Sequence, residues 1–121
     1  MRIQNKALTL SGTDMESDIT SDPIWLGHIA NYSIQVVFTG SPDGTLKLQA
    51  SNDFGARDGS LDQVSIDHWT DIIGSSQNIT ASGDHTWTVE NAGYRWVRMV
   101  WTDSASSDAD ITSARFNVKG V

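Results

Sequence analysis

Gly93-Tyr94-Arg95-Trp96-Val97-Arg98-Met99-Val100-Trp101-Thr102 carries bulky residues on both alternating faces. In a strand, Tyr94, Trp96, Arg98 and Val100 point one way, and Arg95, Val97, Met99 and Trp101 point the other. A strand with one wet face shows small polar residues on one parity, and this run does not. It therefore reads as sandwiched between layers or as sitting at a subunit contact. The chain is accordingly an all-β protein whose function is binding or assembly.

The rest of the sequence supports that class. No window shows sustained apolar spacing at the helical period, whereas short β segments recur throughout. Tyr32 to Thr39 alternates most cleanly, with Tyr32, Ile34, Val36 and Phe38 on one face. Gly40-Ser41-Pro42-Asp43-Gly44 then reads as a hairpin loop, and Leu46, Leu48 and Ala50 share the inward face of a returning strand. Further strands are expected over Ile3–Leu10, Ile24–Leu26, Trp69–Ile73, Asn78–Ala81 and His85–Glu90, the last with Trp87 and Val89 on one side. Ile111–Val118 closes the fold with Ala114, Phe116 and Val118 inward. Asn52 to Asp67 is too long for an ordinary turn and reads as a functional or mobile loop, and Asp103 to Asp110 as a polar, mobile one. About eight short strands at this spacing indicate a single antiparallel β-sandwich domain over residues 1–121, jelly-roll-like.

Composition bounds the function. The net charge is −7, so nucleic-acid binding and attachment to anionic lipid are disfavoured, because both need a basic surface. Docking onto a basic surface suits the sign. Glu occurs only at Glu16 and Glu90, and the other acids are Asp, which favours turns over helix interiors. There is no cysteine, which excludes disulfides, thiol chemistry and Cys-based zinc sites. Met1 to Lys6 lacks the apolar core of a signal peptide, and no apolar run approaches a membrane span of ~20 residues. Synthesis in the cytoplasm is expected.

No catalytic signature emerges. His28, His68 and His85 lie on separate segments without metal-binding spacing. Asp53, Asp58, Asp62 and Asp67 are hard oxygen ligands of the kind that hold calcium, and Asp103, Asp108 and Asp110 invite the same thought. The regular spacing of a calcium loop is absent, so solvated loop acids and turn caps are the plainer reading. No cofactor is expected. Paired carboxylates for glycoside hydrolysis are a poor signal in an Asp-rich chain.

The five tryptophans carry more information. Trp87 and one of Trp96 or Trp101 read as core, which leaves the other of that pair covered by something else. Trp69, at the end of the acidic loop, is the candidate for an exposed contact, because exposed Trp residues stack on sugars or anchor protein partners. Arg95 and Arg98 fall on opposite faces of an apolar strand, where an arginine either pairs with a carboxylate or spans a subunit contact. In this acid-rich chain an internal salt bridge is the favoured reading.

The order Val36-Val37-Phe38-Thr39-Gly40, Gly44 to Asp53, His68-Trp69, Trp87, Gly93 to Arg98 and Phe116-Asn117-Val118-Lys119-Gly120 resembles small β-sandwich structural proteins of bacteriophage virions. The resemblance covers about two thirds of the chain, from Tyr32 onward, and rests on packing motifs. It implies a non-enzymatic virion component: a capsid decoration, a vertex or spike protein, or a tail accessory. Such a protein self-associates as a homo-oligomer and docks on a capsid or tail surface. Trp69, Arg95, Trp96, Asp58 and Asp62 are then the contact residues. The Trp-Val-Arg strand is also similar to one in discoidin-type, galactose-binding-like jelly rolls, which bind carbohydrate or lipid. That likeness implies glycan stacking on Trp69, with Asp58 and Asp62 taking hydroxyl hydrogen bonds.

Overall fold

Among the described residues, alternating β-branched and aromatic side chains give ten strands in two antiparallel sheets. The computed structural model describes residues 3–27, 29–53 and 68–119. The strands are β1 (Ile3–Ala7), β2 (Ile19–Thr20), β3 (Ile24–Trp25), β4 (Tyr32–Ser41), β5 (Gly44–Ser51), β6 (Thr70–Asp71), β7 (Gln77–Ile79), β8 (Gly83–Val89), β9 (Trp96–Asp103) and β10 (Ser107–Lys119). The first sheet has the order β1-β10-β4-β8. The second runs β2-β9-β5-β6, with β3 also paired to β9 and β7 to β5. Most connections between the described strands cross from one sheet to the other, so that the two antiparallel sheets form a β-sandwich.

The inward faces follow the period-two pattern. Ile34, Val36 and Phe38 of β4 and Phe116 of β10 meet Leu46 and Leu48 of β5 and Val97, Met99 and Trp101 of β9 across the gap. Met15, Ile19, Ile24 and Leu26 close one side, and Ile79 and Trp87 belong to the same core. The two large indoles keep their N–H groups satisfied: Trp101 Nε1 donates to the Met15 carbonyl at 2.9 Å and Trp87 Nε1 to the Ser75 carbonyl at 2.8 Å.

The expected hairpin over Gly40–Gly44 is corrected. β4 and β5 lie in different sheets, and Pro42-Asp43 between them carries the chain across the sandwich. Alternating apolar residues mark both a hairpin and two strands that face each other through a core, so the pattern alone does not separate them. The link itself favours crossing. Pro42 is fully buried and has no N–H for a ladder. Gly40 takes a φ of 87°, and a Cβ there would lie 1.8 Å from the Asp108 carbonyl oxygen.

The expected mobile loop over Asp103–Asp110 is also corrected. β9 continues to Asp103 and β10 starts at Ser107. The short link between them is pinned by its own polar groups. Ser104 and Ala105 N–H donate to the Asp43 carbonyl at 2.8 and 3.1 Å, Ser106 Oγ accepts from Asp43 N–H at 2.8 Å, and Asp103 accepts from Ser106 N–H at 3.0 Å. Asp and Ser side chains that bond the nearby backbone build turns rather than loose loops. The Trp69–Ile73 strand shortens to Thr70–Asp71, and the Asn52–Asp67 loop lies outside the described residues from 54 onward.

Serine hydroxyls mend the second sheet where its edges break. Between β2 and β3, Met99 N–H donates to Ser21 Oγ at 2.8 Å, while Ser21 N–H donates to the Met99 carbonyl at 2.9 Å. On the other side Leu48 N–H donates to Ser75 Oγ at 3.1 Å. Both serines are buried, so these bonds keep core backbone donors paired beside residues that cannot continue a ladder.

Candidate functional site

The outer face of the β5–β9 sheet carries the aromatic and charged side chains that the sequence singles out. Its outward positions follow from the register: Trp96 lies opposite Ser51, Arg98 opposite Gln49, and Val100 opposite Lys47. Trp25 of β3 pairs with Trp96 on the other flank, and Asp71 of β6 with Gln49.

This explains the two-faced strand. Val97, Met99 and Trp101 fill the core. Trp96 points outward yet is only 8 % exposed, because Trp25 tilts against it at a centroid distance of 5.1 Å. Trp96 Nε1 donates to the Asp53 carbonyl at 3.0 Å. The second bulky face is thus covered in part by the chain itself, through Trp25, whose role a two-residue strand gave no periodic signal to reveal.

Arg98 and Trp69 meet on this face. The guanidinium carbon stands 4.2 Å from the centroid of the Trp69 ring, a cation–π geometry, and both residues are half-buried. Arg98 Nε donates to Gln49 Oε1 at 2.8 Å. Gln49 Nε2 passes the interaction on to Asp71 Oδ1 at 2.9 Å, and Lys47 Nζ reaches Asp71 Oδ2 at 3.1 Å. The expected internal salt bridge is replaced at Arg98 by a ring face and an amide; the carboxylate stands one residue further on. Burial pulls the Arg98 guanidinium below its ordinary value, and the bonds from Gln49 and Lys47 hold the Asp71 carboxyl below the usual carboxylate range.

Asp53 and His68 flank the segment 54–67. The Asp53 carboxylate accepts the His68 N–H at 3.1 Å and faces Nδ1 at 3.1 Å. It therefore ties the two ends of that segment together beside Trp69. Asp58, Asp62 and Asp67, the remaining acids of the calcium candidate, lie outside the described residues, as does His28. Among the described residues no group of three or more His, Asp or Glu side chains is placed to hold a metal ion.

Arg95 precedes β9 and lines an open groove with Trp25, Gly27, Asn52, Ala92, Gly93 and Tyr94. Asn52 Oδ1 accepts the Arg95 N–H at 3.0 Å, and the Arg95 carbonyl accepts the Leu26 N–H at 2.8 Å, so the groove wall is fixed by backbone bonds. Of the expected contact residues, Trp69 and Trp96 share the outer face and Arg95 stands at its end. Trp25, Gln49 and Asp71 complete that surface, and none of them is among the contact residues expected from the sequence. Gln49 alternates with the inward Leu46 and Leu48 of β5, a signal that points it outward, whereas the two-residue β3 offers no such signal for Trp25.

No protein-family model matches the chain, and no curated protein matches it. Its fold is similar to the crystal structure of the SPBc2 prophage-derived protein YomS, with a TM-score of 0.56 and 14 % identity over 98 % of this chain and 96 % of that one. It also aligns with the tobacco streak virus coat protein, at a TM-score of 0.48 and 9 % identity over 98 % of this chain and 85 % of that one. The first likeness extends end to end and is one of fold.

Proposed function

We propose that this chain is a non-enzymatic structural protein of a bacteriophage virion that self-associates and docks on a capsid or tail surface. The observation that carries this reading is the fold shared over nearly the full length with a prophage-derived protein of similar size. The outer face of the β5–β9 sheet supports it. Trp69, stacked by Arg98 and framed by Gln49 and Asp71, offers a fixed aromatic and polar patch of the kind that anchors protein contacts. The acid-rich chain suits a basic patch on the partner. The test is absolute mass by size-exclusion chromatography with light scattering, followed by co-sedimentation with capsids and tails. A discrete oligomer that binds particles, with Trp69→Ala weakening the binding at least tenfold, is the expected result. A monomer without affinity for either particle would sink the proposal.

A second reading is a glycan-binding module. The groove lined by Trp25, Tyr94, Asn52 and Arg95 supports it, since it sets aromatic faces beside an amide and a guanidinium. Tryptophan fluorescence unchanged across a glycan panel would remove it.

A further inference from the structure

We propose that two copies of this chain join their first sheets edge to edge, β8 against β8, antiparallel about a two-fold axis at Thr86. The inference rests on the self-association proposed above and names the surface that would carry it. Among the described residues, β8 pairs only with β4 and is the last strand of its sheet. Its seven residues run against β4 from Tyr32↔Val89 to Phe38↔Gly83 without a register shift, so the outer backbone edge is regular. An exposed edge of that length is a template for another strand, and proteins that stay monomeric blunt it with lysine, proline, bulges or brevity. β8 has none of these. The other edges are blunted: β1 carries Lys6, β2 and β3 are two residues each with Pro23 between them, and β6 and β7 have two and three residues.

The sequence of β8 fits a second β8. In a chain of net charge −7 this strand holds one charged residue, Asp84. Thr86 is the midpoint of Gly83–Val89, so centring there pairs all seven residues. Asp84 then faces Thr88 of the second copy, His85 faces Trp87, and Thr86 faces Thr86. Each outward residue meets an outward one and each inward residue an inward one, as antiparallel pairing demands. Centring one residue later would set Asp84 against Glu90, two acids. Thr–Thr pairs across strands hydrogen-bond favourably. The contact closes on itself, because each copy uses the one long unprotected edge among its described strands.

Two variants test the pairing in the full chain. Thr86→Cys introduces the protein's only cysteine, and opposed antiparallel residues stand at disulfide distance. Mild oxidation is expected to cross-link T86C into a covalent dimer, while Q35C, exposed on the neighbouring strand, stays uncross-linked. Thr86→Lys sets two ammonium groups directly opposite one another at the axis, and the solution mass is expected to halve. A wild-type oligomer whose mass ignores the lysines and whose T86C variant does not cross-link would overturn the edge pairing and leave self-association standing. A wild-type monomer at 13.2 kDa in concentrated solution would overturn both.

Discussion

The Arg98 guanidinium lies 4.2 Å over the Trp69 ring while its Nε donates to Gln49 at 2.8 Å. A planar cation is held there by a ring on one side and an amide at its edge. Arg98→Ala is expected to cost about 0.5–2 kcal/mol, the range for a half-desolvated cation–π contact. Arg98→Lys keeps the charge and loses the planar fork, so it is expected to recover less than half of that loss. A urea-unfolding cycle with Trp69→Ala measures the coupling. Equal stability of the wild type and R98K would show that charge alone matters at this position.

Strand identity was legible in the residues themselves, since Tyr32, Ile34, Val36, Phe38, Leu46, Leu48, Phe116 and Val118 alternate, and all of them are buried. Sheet membership was not. The alternation on either side of Gly40-Ser41-Pro42-Asp43-Gly44 does not announce whether the next strand turns beside the last one or crosses over it, because side-chain parity is the same in both cases. Trp96 and Trp101 were rightly read as occupying opposite faces, but the cover for Trp96 comes from Trp25, seventy-one residues earlier in the chain. Contacts that arise from register between distant strands leave no local mark, so alternation points Gln49 outward without showing that it bridges Arg98 to Asp71. Met15 sits in a polar stretch yet is fully buried, since its carbonyl and side chain close the end of the core beside Trp101.

Gly40 is the tightest point in the crossing between the sheets. Its φ of 87° is unfavourable for a residue with a side chain, and a Cβ would meet the Asp108 carbonyl oxygen at 1.8 Å. Asp108 itself has a φ of 48° inside an irregular stretch of the β4–β10 register, so both chains are already bent to meet. Gly40→Ala is expected to lose more than about 2 kcal/mol, from left-handed backbone strain plus the clash. A thermal midpoint within a degree or two of the wild type would mean that this crossing yields more easily than its geometry implies.

Ser21 holds the break between β2 and β3 closed. Its Oγ accepts from the buried Met99 N–H at 2.8 Å, in the middle of the core strand. Ser21→Ala leaves that donor unpaired and is expected to cost about 1–3 kcal/mol. Ser21→Thr keeps the hydroxyl and is expected to cost less than Ser21→Ala. Hydrogen exchange at the Met99 amide provides the site-specific readout, and unchanged protection in Ser21→Ala would contradict this account.

His85 gives the fold a pH dependence whose sign can be worked out. Its ring packs edge-on against Trp87 at 4.7 Å, and its Nε2 is buried without a hydrogen-bond partner among the described residues. Burial pulls its pKa below the ordinary 6.5, and the Asp84 charge opposes that shift only in part. The unfolded chain therefore takes up the proton first as the pH falls. Stability from this group is complete above 6.5 and is lost as the pH falls from there through the folded value. Asp71, whose carboxyl is lowered, acts in a separate window below about 4. His85→Phe keeps a ring against Trp87 and removes the titration. Urea midpoints are expected to fall between about pH 7 and about pH 5 in the wild type, and to fall less in the variant. Identical slopes in the two proteins would show that the loss of stability with acid comes from some other group.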